Sequence, residues 1–156
     1  MSSVEAKEEK GRMIVGVDGS PSSLAALRWA SENAKKLECL IEVICTWEEY
    51  IPSGELLASG MAPGLVIPEM TPEELALDVL RESTKEVFGE TRSDEVTIRV
   101  IKGEPSRVLI RESENATMLV LGSRGHGKLH DLVLGSVSSS CVAKAKCPVV
   151  VLHEKA

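Results

Sequence analysis

The chain has 156 residues, 43% of them hydrophobic but only 3% aromatic, which suits one domain with an aliphatic core and leaves little for stacking on bases or sugars. The net charge of −6 disfavours a nucleic-acid partner, because nonspecific binding to DNA or RNA requires a dense surface of Lys and Arg. No apolar run approaches the roughly 20 residues that span a bilayer, and residues 1–12 are polar, so we expect no membrane association and a cytoplasmic location.

The first third of the chain predicts a leader followed by a βαβ unit. Residues 1–11 are charged and without apolar periodicity, which predicts a disordered leader before a single domain at 12–156. Residues 13–17 form an unbroken apolar run, typical of a strand covered on both faces. Ser20 as N-cap and Pro21 at the first helical position predict a helix, and residues 40–45 a second strand. The apolar stripe predicted for that helix consists of Leu24, Leu27, Ala30, Ala34 and Leu37.

The remainder predicts three more strands and three more helices. Residues 47–70 lack a period and contain three prolines and three glycines, so they predict a long loop, either a lid or partner surface or a floppy insertion. Thr71 and Glu74 have the spacing of a capping box, and Gly89 suits the end of the helix that follows. Further helices are predicted at 105–116 and 136–146, and strands at 95–101, 118–121 and 149–152. The alternating pattern of 95–101 indicates a sheet edge and the uniformly apolar 118–121 an interior strand.

Alternating strands and helices predict an α/β fold, a doubly wound five-stranded parallel sheet with helices on both faces, in the strand order 3-2-1-4-5. Ligands of such sheets bind beyond the carboxyl ends of the strands, here the loops after Val17, Cys45 and Leu121. The four cysteines form no CxxC pair and lack nearby histidines, so we expect small buried hydrophobes rather than a zinc or redox site.

The segment 122–138 is the most informative one, because a glycine-rich stretch follows a buried strand and ends at a helix start near Ser136. Backbone N–H groups and the positive dipole end of a helix together favour an anion, while Ser136 and Ser138 add hydroxyl donors. An ordinary Gly-Ser helix cap is the alternative for Gly135 and Ser136. A P-loop is rejected because Leu129 stands where a magnesium-binding hydroxyl is required.

The spacing Gly-x2-Gly-x9-Gly-(Ser/Thr), met by Gly122, Gly125, Gly135 and Ser136, resembles the ATP-binding members of the universal stress protein family. The opening Val-Gly-Val-Asp-Gly-Ser and the closing Pro-Val-Val-Val-Leu extend the resemblance over most of residues 12–153. The resemblance implies ATP, with or without Mg²⁺, as the bound cofactor. It also implies a homodimer formed through the strand at 149–152.

The resemblance also implies a set of ligand-contacting residues. Adenine and ribose would lie against Gly16, Val17, Asp18 and Thr46. The phosphates would lie against Gly122, Ser123, Arg124, Gly125, Gly135, Ser136, Val137 and Ser138. Where the chain reads Cys45-Thr46, members of the family often have a histidine followed by a small apolar residue.

Several of these residues have competing explanations. Asp18 also suits a helix start whether or not a ligand is bound. The basic residues Arg124, His126, Lys128 and His130 either neutralise phosphate or are simply solvated. Trp47 either stacks on the base or covers the core.

Three functions remain open on the sequence alone. The first is a nucleotide-binding stress-response module whose ATP occupancy alters its conformation or its choice of partner. The second is an enzyme for slow ATP hydrolysis or phosphoryl transfer, with His126 and Asp131 as the only acid/base candidates. The third is a nucleotide-free adaptor that binds proteins through the loop at 47–70.

Overall fold

A computed structural model describes residues 9–49, 69–125 and 134–154 of the chain. Within these residues, nine elements alternate along the sequence. They are β1 Gly11–Gly16, α1 Pro21–Asn33, β2 Cys39–Trp47, α2 Pro72–Phe88, β3 Val96–Lys102, α3 Pro105–Ser113, β4 Met118–Gly122, α4 Ser136–Lys144 and β5 Val149–Leu152.

The strands form one parallel sheet in the order β3-β2-β1-β4-β5, which confirms the predicted fold class and strand order. Helices cover both faces. Leu27 of α1 and Leu80 of α2 belong to one buried cluster, whereas Leu109 of α3 and Cys141 of α4 belong to the cluster on the opposite face. The connections therefore diverge to opposite faces between β1 and β4, where ligand sites of doubly wound sheets are found.

Local signals fix most of the helix starts. The Ser20 side chain accepts a hydrogen bond from the Ser23 N–H, and Pro21 is the first residue of α1, as predicted. The Thr71–Glu74 capping box is formed in both directions at the start of α2, and Gly89, with φ of +79°, caps its end. Only glycine adopts such a φ without strain.

Several predicted boundaries differ from the structure: α3 ends at Ser113 rather than at 116, α4 ends at Lys144 rather than at 146, and two further boundaries are wrong. The helix α1 ends at Asn33, so Leu37 lies beyond it and is 45% exposed instead of continuing the apolar stripe. Gly11, assigned to the leader, is the first residue of β1, because its N–H donates to the Glu38 carbonyl at 2.8 Å and it pairs with Cys39. Residues 1–8 lie outside the described chain.

The sheet edges match their sequence patterns. β3 lies at one edge, where Thr97 and Arg99 are exposed while Val96 is buried. Glu42 and Glu112, both largely buried, form ion pairs with Arg12 and Arg99 beside this strand. β4 lies in the interior as predicted, and β5 forms the other edge.

All four cysteines are free, and three of them are buried, in agreement with the predicted packing role. Over the described ranges, no helix combines the length and the apolar character needed to cross a membrane.

Candidate functional site

A cavity of about 490 Å³ opens at the carboxyl ends of β1, β2 and β4. Its volume lies within the range of small-molecule sites, about 300 to 1,000 Å³. The residues that line it are Gly16, Val17, Asp18, Ser23, Ile44, Cys45, Thr46, Pro105, Leu109, Leu121, Gly122, Arg124, Gly125, Gly135, Ser136, Val137 and Ser138. The structure thus brings all the predicted site residues together except Ser123.

Ser123 does not line the cavity, because its backbone is committed to the sheet and to the return of the chain. Its N–H donates to the Leu152 carbonyl at 2.7 Å, and its carbonyl accepts the Gly135 N–H at 2.7 Å. The residue is 2% exposed. Ser123 therefore connects β4, β5 and the start of α4 rather than facing a ligand.

The apolar side of the cavity includes residues that the sequence analysis missed. Ile44 and Leu121 lie in the carboxyl-terminal halves of β2 and β4, while Pro105 and Leu109 come from α3. The sequence pointed to the loops after three strands, although the start of α3 reaches the same edge of the sheet. The four-residue spacing of Pro105 and Leu109, directly after a predicted strand, was the available signal.

The start of α4 supplies the polar side. Gly135 is its N-cap, with φ of −60° and ψ of 164°, and the described residues provide no side chain that caps it. The first intrahelical bond runs from the Ser139 N–H to the Gly135 carbonyl at 2.9 Å, so the N–H groups of Ser136, Val137 and Ser138 precede the helical ladder. Ser136 is the first helical residue, not the cap that the alternative explanation assumed.

The two neighbouring helix starts differ from that of α4. The Ser20 side chain caps α1. The Glu104 carboxylate caps α3, accepting the N–H groups of Ser106 and Arg107 at 3.0 Å each. The hydrogen bond from the Ser106 hydroxyl, followed by these backbone bonds, lowers the pKa of Glu104. α1 and α3 thus carry their own acceptors, whereas the amide end of α4 opens on the cavity.

The three motif glycines meet different surroundings. A Cβ on Gly122 would lie 2.5 Å from Ser22 Oγ and 2.6 Å from the backbone of Ser22 and Ser23, so this glycine permits β4 to approach α1. A Cβ on Gly125 would lie 2.7 Å from Asp18 Oδ2. At Gly135 the nearest atom would be 3.4 Å away, an ordinary contact. Packing against backbone therefore accounts for Gly122, whereas at Gly125 the close atom ends the Asp18 side chain, which can move. Around Gly135 the described residues leave room for a methyl group.

The predicted hydroxyl and charged groups are partly engaged within the fold. The Ser138 hydroxyl donates to the Gly122 carbonyl at 2.7 Å and is 4% exposed, so it serves the fold, whereas Ser136 is exposed. Asp18 Oδ1 accepts the Ser20 N–H at 2.9 Å, as the helix-start explanation predicts, and Asp18 also lines the cavity, where its contact with a ligand stays a prediction. Arg124 lines the cavity and is exposed. The candidates His126, Lys128, His130 and Asp131 lie outside the described residues.

Cys45 and Thr46 close the cavity at the end of β2. Burial, reinforced by the negative charge of Asp18, raises the pKa of the Cys45 thiol to about 11. The thiol is therefore protonated at neutral pH, which does not suit a nucleophile. Trp47 follows at the strand end and packs against the core cluster beneath α1 and α2, with Lys102 Nζ 5.4 Å from its ring centroid.

Comparisons with known proteins agree with this architecture. The model of the universal stress protein family matches residues 10–153. A universal stress protein of Mycolicibacterium smegmatis is 33% identical over 160 aligned positions, which cover 96% of this chain and 50% of that protein. This chain thus spans about half the length of that relative.

Solved structures show the same fold. The universal stress protein UspA from Lactobacillus plantarum superposes with a TM-score of 0.67 at 21% identity, covering 92% of this chain and 97% of that one. A universal stress protein in complex with cAMP superposes with a TM-score of 0.61 at 22% identity, covering 94% and 98%. Together with the family match over nearly the whole sequence, these findings show that the chain belongs to the universal stress protein family.

Proposed function

We propose that the cavity binds an adenine nucleotide, and specifically ATP with or without Mg²⁺, so that the protein acts as a nucleotide-responsive module in a stress response. The observation that carries the proposal is the start of α4, which no side chain of the described residues caps and whose first residues line a cavity that also has apolar lining residues. An uncapped helix N-terminus favours phosphate, and apolar walls favour a base. The structural relative that binds cAMP supports an adenine nucleotide.

The two sides of the cavity suggest an orientation for the ligand. Val17, Ile44 and Leu109 would contact the base, and Asp18 and Thr46 lie at the same strand ends as candidates for the ribose. The phosphates would lie at Gly135, Ser136 and Val137. Because backbone N–H groups supply the donors, a net charge of −6 does not prevent the binding of a polyanion.

Ser136 offers a direct test. Ser136→Asp places a carboxylate at the first residue of α4, where it competes for the same amides and repels phosphate, whereas Ser136→Asn is a neutral control of similar size. Calorimetry with ATP and Mg²⁺ should show saturable binding to the wild type and to Ser136→Asn, and at least about tenfold weaker binding to Ser136→Asp. Absence of binding to the wild type, or equal affinity of all three proteins, would refute the proposal.

The alternative function, a protein-binding adaptor, predicts that the purified protein contains no nucleotide. We expect instead that mass spectrometry of ligands released on denaturing freshly purified protein detects an adenine nucleotide. Its detection would favour the nucleotide-binding module over the adaptor, and calorimetry on the protein after removal of the ligand would then give the affinity for ATP.

We also propose that two copies associate through β5. Leu119 N–H donates to the Pro148 carbonyl and Ser123 N–H to the Leu152 carbonyl, so the alternation of a parallel ladder directs the N–H of Val151 away from β4. An edge strand of this kind can pair with a second copy. Sedimentation should show a dimer that Val151→Pro abolishes and Val151→Thr retains; a monomeric wild type would refute the pairing.

We also propose that the protein is located in the cytoplasm. Cys39, Cys45, Cys141 and Cys147 are all free, as expected in a reducing compartment. Fractionation of cells that express the chain would test this location.

A further inference from the structure

A buried serine at the start of α1 bonds to a chain segment far away in sequence. Ser22 is 4% exposed, and its hydroxyl donates to the Arg124 carbonyl, 102 residues away, while the Arg124 N–H lies 3.4 Å from Ser22 Oγ. The Ser20 hydroxyl donates to the same carbonyl at 3.2 Å. Both backbone groups of Arg124 are therefore held by the corner between β1 and α1.

The contact is tight because Gly122 allows it. The backbone of Ser22 and Ser23 occupies the space in which a side chain at Gly122 would begin, with distances of 2.6 Å to its calculated Cβ position. The hydrogen bonds of Ser22 to Arg124 form at this close approach. Glycine at 122 and serine at 22 thus act together.

The corner and the loop both line the cavity, next to each other. Val17 and Asp18 lie on the corner, while Arg124 and Gly125 lie on the loop that leaves β4. Ser22 itself does not line the cavity. Its hydroxyl nevertheless helps to set the spacing between the corner and the loop, because it bonds to the backbone of Arg124.

We propose that Ser22 is a positioning residue of the nucleotide site, which holds the phosphate side of the cavity in register with the base side. The inference rests on the proposed function. It differs from a packing role in one respect: removal of the hydroxyl should weaken binding of the phosphate-bearing ligand while leaving binding of the base and ribose alone. A mere loss of stability would not distinguish the two ligands.

The experiment compares ATP and adenosine by calorimetry on the full chain. Ser22→Ala should bind ATP about tenfold more weakly than the wild type, with an unchanged affinity for adenosine. Ser113→Ala is the matched control, because Ser113 is also buried, donates to the Ile110 carbonyl at 2.6 Å and accepts the Lys146 N–H at 2.9 Å. Ser113 does not line the cavity, so this variant should retain both affinities.

The outcomes separate the two proposals. If the wild type binds ATP and Ser22→Ala binds it equally well, the positioning role is wrong and the nucleotide site stands. The positioning role is equally wrong if Ser113→Ala loses as much affinity for ATP as Ser22→Ala. If Ser22→Ala does not fold, Ser22→Cys, with a weaker donor at the same position, replaces it in the comparison. A wild type without ATP binding refutes the proposed function itself.

Discussion

Gly122 and Gly135 belong to the same motif, yet the structure predicts different consequences when each is replaced by alanine. At Gly122 the new methyl group would lie 2.6 Å from backbone atoms of α1, and these atoms cannot turn aside as a flexible side chain does. The strand and the helix would have to separate by most of an ångström. Overpacking of this kind costs about 2 to 3 kcal/mol.

At Gly135 the nearest atom to the new methyl group is 3.4 Å away, and φ of −60° suits any residue. Alanine is a somewhat poorer N-cap than glycine, so Gly135→Ala should lower the free energy of unfolding by less than about 1 kcal/mol. Its effect should fall on ATP affinity, because Gly135 lines the cavity.

Urea unfolding of the two variants, followed by circular dichroism, measures the difference. Gly122→Ala should lower the midpoint with an unchanged slope, and for a chain of this size 2 to 3 kcal/mol corresponds to a melting temperature lower by roughly 4 to 12 °C. Equal losses of stability in the two variants would refute the assignment of Gly122 to packing and of Gly135 to the ligand.

Two further predictions concern titration. Burial and the charge of Asp18 raise the pKa of the Cys45 thiol to about 11. Alkylation of Cys45, measured by peptide mass mapping, should therefore be slow at pH 7 and accelerate as the pH approaches 11, and bound ATP should slow it at any pH. Fast labelling at pH 7 would contradict the burial of this thiol. Burial opposes ionisation of Glu42, but hydrogen bonds from Arg12 and Arg99 outweigh it and lower the pKa of Glu42. Its carboxylate therefore contributes stability that is fully present above the unfolded pKa of about 4.3 and is lost as pH falls through the lower folded pKa. The stability difference between the wild type and Glu42→Gln should be largest at pH 7 and shrink at pH 3; a difference that does not change with pH would contradict this account.

The sequence predicted the fold well because its signals are local. Unbroken apolar runs marked the buried strands, and Ser20 and Thr71 marked helix starts that the structure confirms. The end of α1 was missed, since Leu37 keeps the helical spacing although the chain has already turned towards β2. Periodicity alone does not record where a helix stops.

The candidate site was predicted only in part, because much of it depends on contacts between distant residues. The glycine motif pointed to the edge of the sheet at which the cavity opens. The pairing of Gly122 with Ser22, about a hundred residues apart, and the commitment of Ser123 to β5 cannot be read from spacing. Leu109 was missed for the same reason, since its place in the cavity depends on how α3 packs across the sheet.

The open start of α4 leads to a last prediction, in which stability and affinity change in opposite directions. In the described chain no side chain caps this helix, so its first amides contribute less to stability than those of α1 and α3. A bound phosphate group would satisfy them, and ATP at a hundred times its dissociation constant should stabilise the chain by about 2.7 kcal/mol.

Ser136→Asp supplies a permanent negative charge at the same place. Without ligand, this variant should be more stable than the wild type by about 0.5 kcal/mol, through its interaction with the helix dipole, while its melting temperature should respond much less to ATP. A damaged helix would instead lose stability and affinity together, and that result would show that Ser136 supports the fold rather than the anion site. Thermal unfolding with and without ATP, at low ionic strength where the dipole interaction is least screened, decides between these two roles.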